Sequence, residues 1–480
     1  MSVHTPIKYN QDLSTILTPG TAISILDGRY RDRLRSLANK FSEASLQRAR
    51  IAMEVRYLIA LSEWGAVRQF YDRERKFLHL LYQDFGTEEF DALKHIELTE
   101  ARRADVKAVE LYIKGNLRGT SLEDVSEMVH YALTSEDPTN IALMSLTQQA
   151  VREDYLPPLL DVMEKLASMA EVYKRTAMLG RTHGRAAQPS TFGKEMAVVA
   201  RRVEKWVSKI YSTQLEGKLT GAIGNFTDHY ADFPDIDWIE FSEQFVSSFG
   251  LVPNTSTTQI LPYDEVIDLF GRMQDVNEVL IGLATDMWRY VSDDWVLLKR
   301  GGISSVMAQK INPEDYERPE GALEIANNDL GFLRRKLSKS RLQRDLSNSL
   351  ATRKFGDAFG FSILGYRSLL QGLNDSDPDV DKMQAALREH PEIISSMMQT
   401  ILRRAGLEEP YEALQEQTRG KKVSLEDLGR FATNLDVDPE VQQKLLALNP
   451  ETSYGLASRI AERDARYVAG VVEEIREGLQ

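Results

Sequence analysis

The feature that most constrains this chain is one apolar stripe between positions 264 and 299. Val266, Phe270, Met273, Val276, Leu280, Leu283, Met287 and Val291 step by three or four without a break, the spacing that turns one face of an α-helix toward a core. A helix of about 36 residues is too long to rest on propensity alone and needs neighbours of comparable length. The stripe therefore predicts an elongated helical bundle with a subunit interface along it.

The same period recurs at 42–64, where Leu46, Ile51, Val55, Leu58 and Leu61 share a face, and helices are expected at 66–84, 100–114, 154–179, 193–217, 321–337 and 355–373. Residues 218–262 break the pattern. Rich in Gly, Asn, Asp and Pro, they read as an excursion with short strands or irregular backbone. Asn374-Asp375-Ser376-Asp377-Pro378 marks a boundary, and 379–480 reads as a string of shorter helices. The expectation is an all-α protein in three blocks: an N-terminal helical block 1–123, a central long-helix block 124–373 and a C-terminal block 374–480.

Composition narrows the function. A formal net charge of −13 without a long basic run argues against a nucleic-acid partner. An acidic protein can still bind anions through a local cluster of Arg, Lys and backbone N–H groups. The chain has no cysteine, which excludes disulfides and thiolate chemistry. No apolar run reaches membrane-spanning length, and the opening MSVHTPIKYNQDLSTIL has no apolar core of signal-peptide length. The expected compartment is the cytoplasm, with no membrane partner. No His/carboxylate cluster falls at metal-ligand spacing, so neither metal nor cofactor is expected.

Chemistry-bearing residues collect in the polar turns. The longest, 301–320, reads GGISSVMAQKINPEDYERPE and packs Ser304, Ser305, Lys310, Asn312, Glu317 and Arg318 between helical stretches. Glycines permit tight backbone there, and one lysine and one asparagine can hold a carboxylate. Its glycines and polar content also suit a lid that closes over substrate. His183 stands in a glycine-flanked turn, Gly180–Arg185, rather than on an apolar stripe. Thr134, Ser135 and Asp137 sit where a helix begins, as caps or as an anion site. Arg341, Arg344 and Arg353, with four serines, make 338–353 the most basic patch, either a solvated face or a phosphate or carboxylate clamp.

These stretches carry a resemblance. S-S-x-M-x-x-K-x-N-P at 304–313 is similar to the signature loop of the fumarase/aspartase superfamily. DGRY at 27–30, DVKAVE at 105–110, TSED at 134–137, RTHG at 181–184, PSTxGKEM at 189–196, TTQ at 257–259, QRDL at 343–346 and TRGK at 418–421 resemble the adenylosuccinate lyase family, in its longer bacterial type. The resemblance implies an all-α homotetramer whose active sites are each built from three chains. It implies that Ser304 is the general base, His183 the general acid and Glu317 the carboxylate orienting His183. It gives Thr134, Ser135, Gln259, Lys310 and Asn312 to the succinyl carboxylates of a succinyl-nucleotide substrate. Arg29, Tyr30, Arg344, Ser349 and Arg353 go to the nucleotide phosphate, with Arg103, Asp105, Ser305 and Arg318 also near substrate.

Three departures stand out. Ala104 replaces the histidine that usually precedes DVKAVE, Ala308-Gln309 replaces Pro-His before Lys310, and Arg318 replaces an asparagine after Glu317. His183-Gly184 is also followed by Arg185-Ala186 rather than Gln-Pro. Besides the family's own reaction, two readings stay open: a diverged lyase acting on another N-substituted aspartate, and a non-catalytic paralogue.

Overall fold

The computed structural model describes residue 18 and residues 20–303, 306–420 and 422–480. Contacts divide them into two compact units: the described residues up to Leu156 with Lys209–Gln274 and Glu324–Leu364, and Pro157–Ser208 with Asp275–Leu323 and Gly365–Gln480. The all-α expectation holds. Among the described residues strands occur only as four two-stranded ladders.

In the first unit, helix Glu43–Glu63 starts at Ser42, whose hydroxyl accepts the Ser45 N–H at 3.2 Å. Its stripe Leu46, Ile51, Val55, Leu58 and Leu61 is buried as expected. Helices Asp72–Gln83, Thr87–Thr99 and Asp105–Leu117 enclose a core with it, through Leu78, Leu93, Val109 and Ile113. A second cluster is aromatic: Phe241 meets Tyr57 at 5.8 Å, Trp64 at 5.4 Å and Trp238 at 5.2 Å, all edge to face. Two expected helices start later than their sequence periods, at Asp72 rather than 66 and at Asp105 rather than 100. For the second the cause is local: Arg102 and Arg103 take φ of 51° and 68°, left-handed values that a right-handed helix cannot contain. The 218–262 excursion holds helices Thr227–Asp232 and Trp238–Ser247, followed by Val252–Pro253, which pairs with Glu216–Gly217.

In the second unit, the helix expected to reach 179 stops at Val172. Ala177–Thr182 is instead a strand, paired antiparallel with Arg185–Thr191. Ala, Met and Leu at 177–179 suit a helix by propensity, but burial against tertiary neighbours overrides it. Helix Phe192–Tyr211 follows.

The long helix is Asp264–Ser292, shorter than the stripe suggests. Asp294 turns left-handed at φ 58°, its N–H bonds Val291 O at 3.1 Å and the Trp295 N–H bonds Tyr290 O at 2.8 Å. That is a Schellman closure with aspartate where glycine usually stands. Val296–Leu298 then pairs with Ser376–Pro378, so the expected boundary segment contains a strand. The helix expected from 321 begins at Glu314, which places Glu317, Arg318 and Glu320 in its first turns with Pro319 among them. Helix Phe355–Asn374 matches its expectation. The C-terminal helices are short until the last, Ala457–Leu479, whose 23 residues exceed the string expected there.

Candidate functional site

Each unit carries part of the predicted residue set. In the first unit the turn 134–137 is rigid from below. Asp137 Oδ2 accepts the Thr134 N–H at 2.9 Å, while Oδ1 accepts the Thr220 N–H at 3.2 Å and meets Lys218 Nζ at 2.8 Å. Above it Ser135 and Gln259 converge on one arginine. Arg344 Nη1 donates to Ser135 Oγ and to Gln259 Oε1, both at 2.9 Å. Gln259 is oriented in turn by its own Nε2, which donates to Ala222 O at 2.7 Å.

Ser135 and Arg344 line a cavity of about 440 Å³, a size suited to a small ligand, with Arg353, Ser349, Asp105, Arg50, Glu136 and Tyr263, while Gln259 lies outside its lining. Arg353 Nε lies 2.5 Å from Glu43 Oε1 and its Nη2 lies 3.7 Å from Asp105 Oδ2. Arg50, which is 3% exposed, donates to the same Asp105 oxygen at 2.7 Å. Burial alone would raise the Asp105 carboxyl; Arg50 and Arg353 outweigh it and hold the group below the usual carboxylate range. Two cavity groups, Arg50 Nε and Asn348 Oδ1, are buried without a hydrogen-bond partner. Buried polar atoms left in that condition require an explanation, and a polar ligand in the cavity is one.

Arg29 and Tyr30 lie in the turn before a short helical segment, the Arg29 guanidinium 5.8 Å from the Tyr30 ring centre. Arg103 is exposed, its N–H bonded to Glu97 O at 2.8 Å. Neither it nor the Arg29-Tyr30 pair lines the cavity.

In the second unit, His183 sits on the tip of the hairpin. His183 and Gly184 have φ of 52° and 71° between paired Thr182 and Arg185, as a two-residue type I′ turn requires. The imidazole is exposed and has no side-chain partner among the described residues. Glu317 accepts from Trp288 Nε1 at 3.2 Å instead of holding His183. Arg318 lies one turn beyond Glu314 and is ion-paired to it. Asn312 belongs to Ile311–Asn312, which pairs with Gly302–Ile303 and makes the base of the 301–320 loop a short hairpin. Lys310, exposed, bonds Met307 O through its N–H at 3.0 Å. Ser304 and Ser305 lie outside the described residues.

The sequence reading missed Glu136, Tyr263, Lys218 and Arg50. Glu136 follows the hydroxyl pair directly and could have been named from TSED. Lys218 and Arg50 had no such signal, because their partners are distant in sequence.

Solved structures share the architecture. A fumarate lyase from Mesorhizobium superposes with a TM-score of 0.72 at 17% identity, covering 91% of this chain and 97% of that one. A 3-carboxy-cis,cis-muconate lactonizing enzyme from Pseudomonas putida gives 0.72 at 16%, covering 92% and 97%. The fold is thus the helical one those enzymes share. By sequence, the family described as Lyase matches residues 28–324 and that described as Adenylosuccinate lyase C-terminal matches 340–454. The adenylosuccinate lyase of Haemophilus influenzae is 36% identical over 450 residues, 92% of this chain and 98% of the relative. That of Escherichia coli K12 is 37% identical over 444 residues, covering 91% and 97%. The chain belongs to the adenylosuccinate lyase family.

Proposed function

We propose that the protein eliminates fumarate from adenylosuccinate, leaving AMP, and from the succinylaminoimidazole-carboxamide ribotide by the same β-elimination. The observation that carries this reading is the convergence of Arg344 on both Ser135 and Gln259 at a cavity also lined by Arg353 and Ser349. Groups suited to carboxylates and groups suited to a phosphate share one small space there.

In this mechanism Ser304 removes the proton next to a succinyl carboxylate, and the electrons move into an aci-carboxylate. Lys310 and Asn312 stabilise that charge as it develops. The C–N bond then breaks, the double bond of fumarate forms, and His183 protonates the departing nitrogen. Arg344, Ser349 and Arg353 hold the phosphate, with Arg29 and Tyr30 beside them, while Thr134, Ser135 and Gln259 hold the second carboxylate. Glu317 orients His183 once subunits have assembled, which we take to be a homotetramer acting in the cytoplasm with shared sites. No helix among the described residues is long and apolar enough to cross a membrane.

Incubation of purified protein with each substrate, following fumarate release, tests the proposal; release from neither rejects it. A second reading, a lyase for another N-substituted aspartate, is favoured by Ala104. It is exposed and brings no side-chain hydrogen bond where the resemblance places a histidine. Preferential turnover of a non-purine succinyl compound would select it.

A further inference from the structure

Arg344 also has an ionic neighbour beyond its two hydrogen-bond acceptors, Ser135 and Gln259. Its Nη2 lies 3.8 Å from Glu136 Oε2, and Glu136 Oε1 accepts the Tyr263 hydroxyl at 3.0 Å. Glu136 is 6% exposed and Tyr263 5% exposed, and both line the cavity. A carboxyl buried there has no use as a solvated surface group, and neither the general acid, the general base nor the phosphate clamp employs it. Tyr263 immediately precedes helix Asp264–Ser292, and Glu136 opens helix Glu136–Ala150. The chain of contacts thus ties two rigid elements to one guanidinium.

We propose that Glu136 is a positioning residue that acts through Arg344: anchored by Tyr263, it fixes the guanidinium plane across Ser135 and Gln259, and the ionised form does this best. Holding a planar fork in advance lowers the ordering cost of binding an anionic group. The groups facing Glu136 are Arg344, Tyr263, Lys218 and Asp137. Burial, the largest influence, pushes its carboxyl above the usual range, opposed by Arg344 and the Tyr263 hydroxyl. Glu136 therefore gains its proton at a higher pH than an ordinary glutamate, and Arg344 loses its charged partner when it does.

The substrate part of this inference rests on the proposed lyase activity, so two readouts are needed. With adenylosuccinate, Glu136→Gln should raise KM several-fold and change kcat less than about twofold, because a positioning defect weakens ground-state binding rather than the chemical step. Wild-type KM should rise as pH falls through the Glu136 titration. In Glu136→Gln it should stay at the raised value, and in Tyr263→Phe the inflection should move to higher pH, because a donor to the ionised form is gone. In the ligand-free protein, phenylglyoxal should modify Arg344 several-fold faster in Glu136→Gln and in Tyr263→Phe than in wild type, as read by peptide mass mapping. An unchanged KM and an unchanged modification rate in both variants would overturn the assignment. If wild type releases no fumarate, the proposed activity fails and the modification rates alone decide the role of Glu136.

Discussion

The Lys218 ammonium and the Asp137 carboxylate, both fully buried, meet at 2.8 Å beneath the turn that carries Thr134 and Ser135. The lysine also donates to Gly221 O at 3.2 Å. Removing one member of such a pair leaves an uncompensated charge in the interior. Lys218→Met or Asp137→Asn should therefore cost roughly 3–5 kcal/mol. Urea unfolding midpoints measure this directly, and a change below about 1 kcal/mol would mean that water reaches the pair.

His229 sets an acid limit on stability. The Tyr57 hydroxyl donates to Tyr131 O at 3.0 Å, so the His229 Nε2–H must donate to the Tyr57 oxygen 3.1 Å away. Nδ1 is left buried with no partner, and burial lowers the imidazole pKa to about 4. Because the folded value lies below the unfolded one, the neutral histidine costs nothing above about pH 6.5. Stability is lost as pH falls from there toward 4, by about 3 kcal/mol in all. The slope of unfolding free energy against pH should flatten in that window for His229→Gln.

The hairpin tip separates chemistry from folding. A left-handed φ at His183 is compatible with asparagine, which occupies such positions readily. With His183 as the proposed general acid, His183→Asn should keep the melting temperature within a degree or two while lowering kcat by about 10²- to 10⁴-fold. Gly184→Ala should do the reverse, losing about 1 kcal/mol or more of stability because φ is 71° there.

Charge in the cavity can be probed with two of the arginines that line it, Arg344 and Arg353. Arg344→Lys keeps a cation but loses the planar fork that lets Nη1 serve Ser135 Oγ and Gln259 Oε1 while Nη2 faces Glu136. Its KM for adenylosuccinate should rise about tenfold or more, and Arg353→Ala should raise KM with a weaker dependence on ionic strength than wild type. Steady-state kinetics at two salt concentrations distinguishes these outcomes from a general loss of folding.

Much of this fold was legible because its signals are local. Ser42 caps the helix it precedes, and the Leu46–Leu61 stripe is buried as its period requires. The misses have non-local causes. Asp294 ends the long helix in a conformation usually given to glycine, so the helix expected to reach 299 stops at Ser292. Met178 and Leu179 look helical and become a strand only because Ser190 and Pro189 lie opposite them. Within the site, hydroxyls and cations in turns could be named from residue type. Lys218 and Arg50 could not, since each acquires its role from a carboxylate that folding delivers from far along the chain.

Gly301 leaves no room for a side chain, since one there would strike the Asn312 carbonyl; at Gly302 the nearest obstacle is the Glu314 side chain, which can swing aside. A saturation library scored for growth would therefore rank Gly301 as intolerant as the proposed acid and base, although a glycine offers substrate no functional group. Separating shape from reactivity in such data requires variants judged by expression level as well as by turnover.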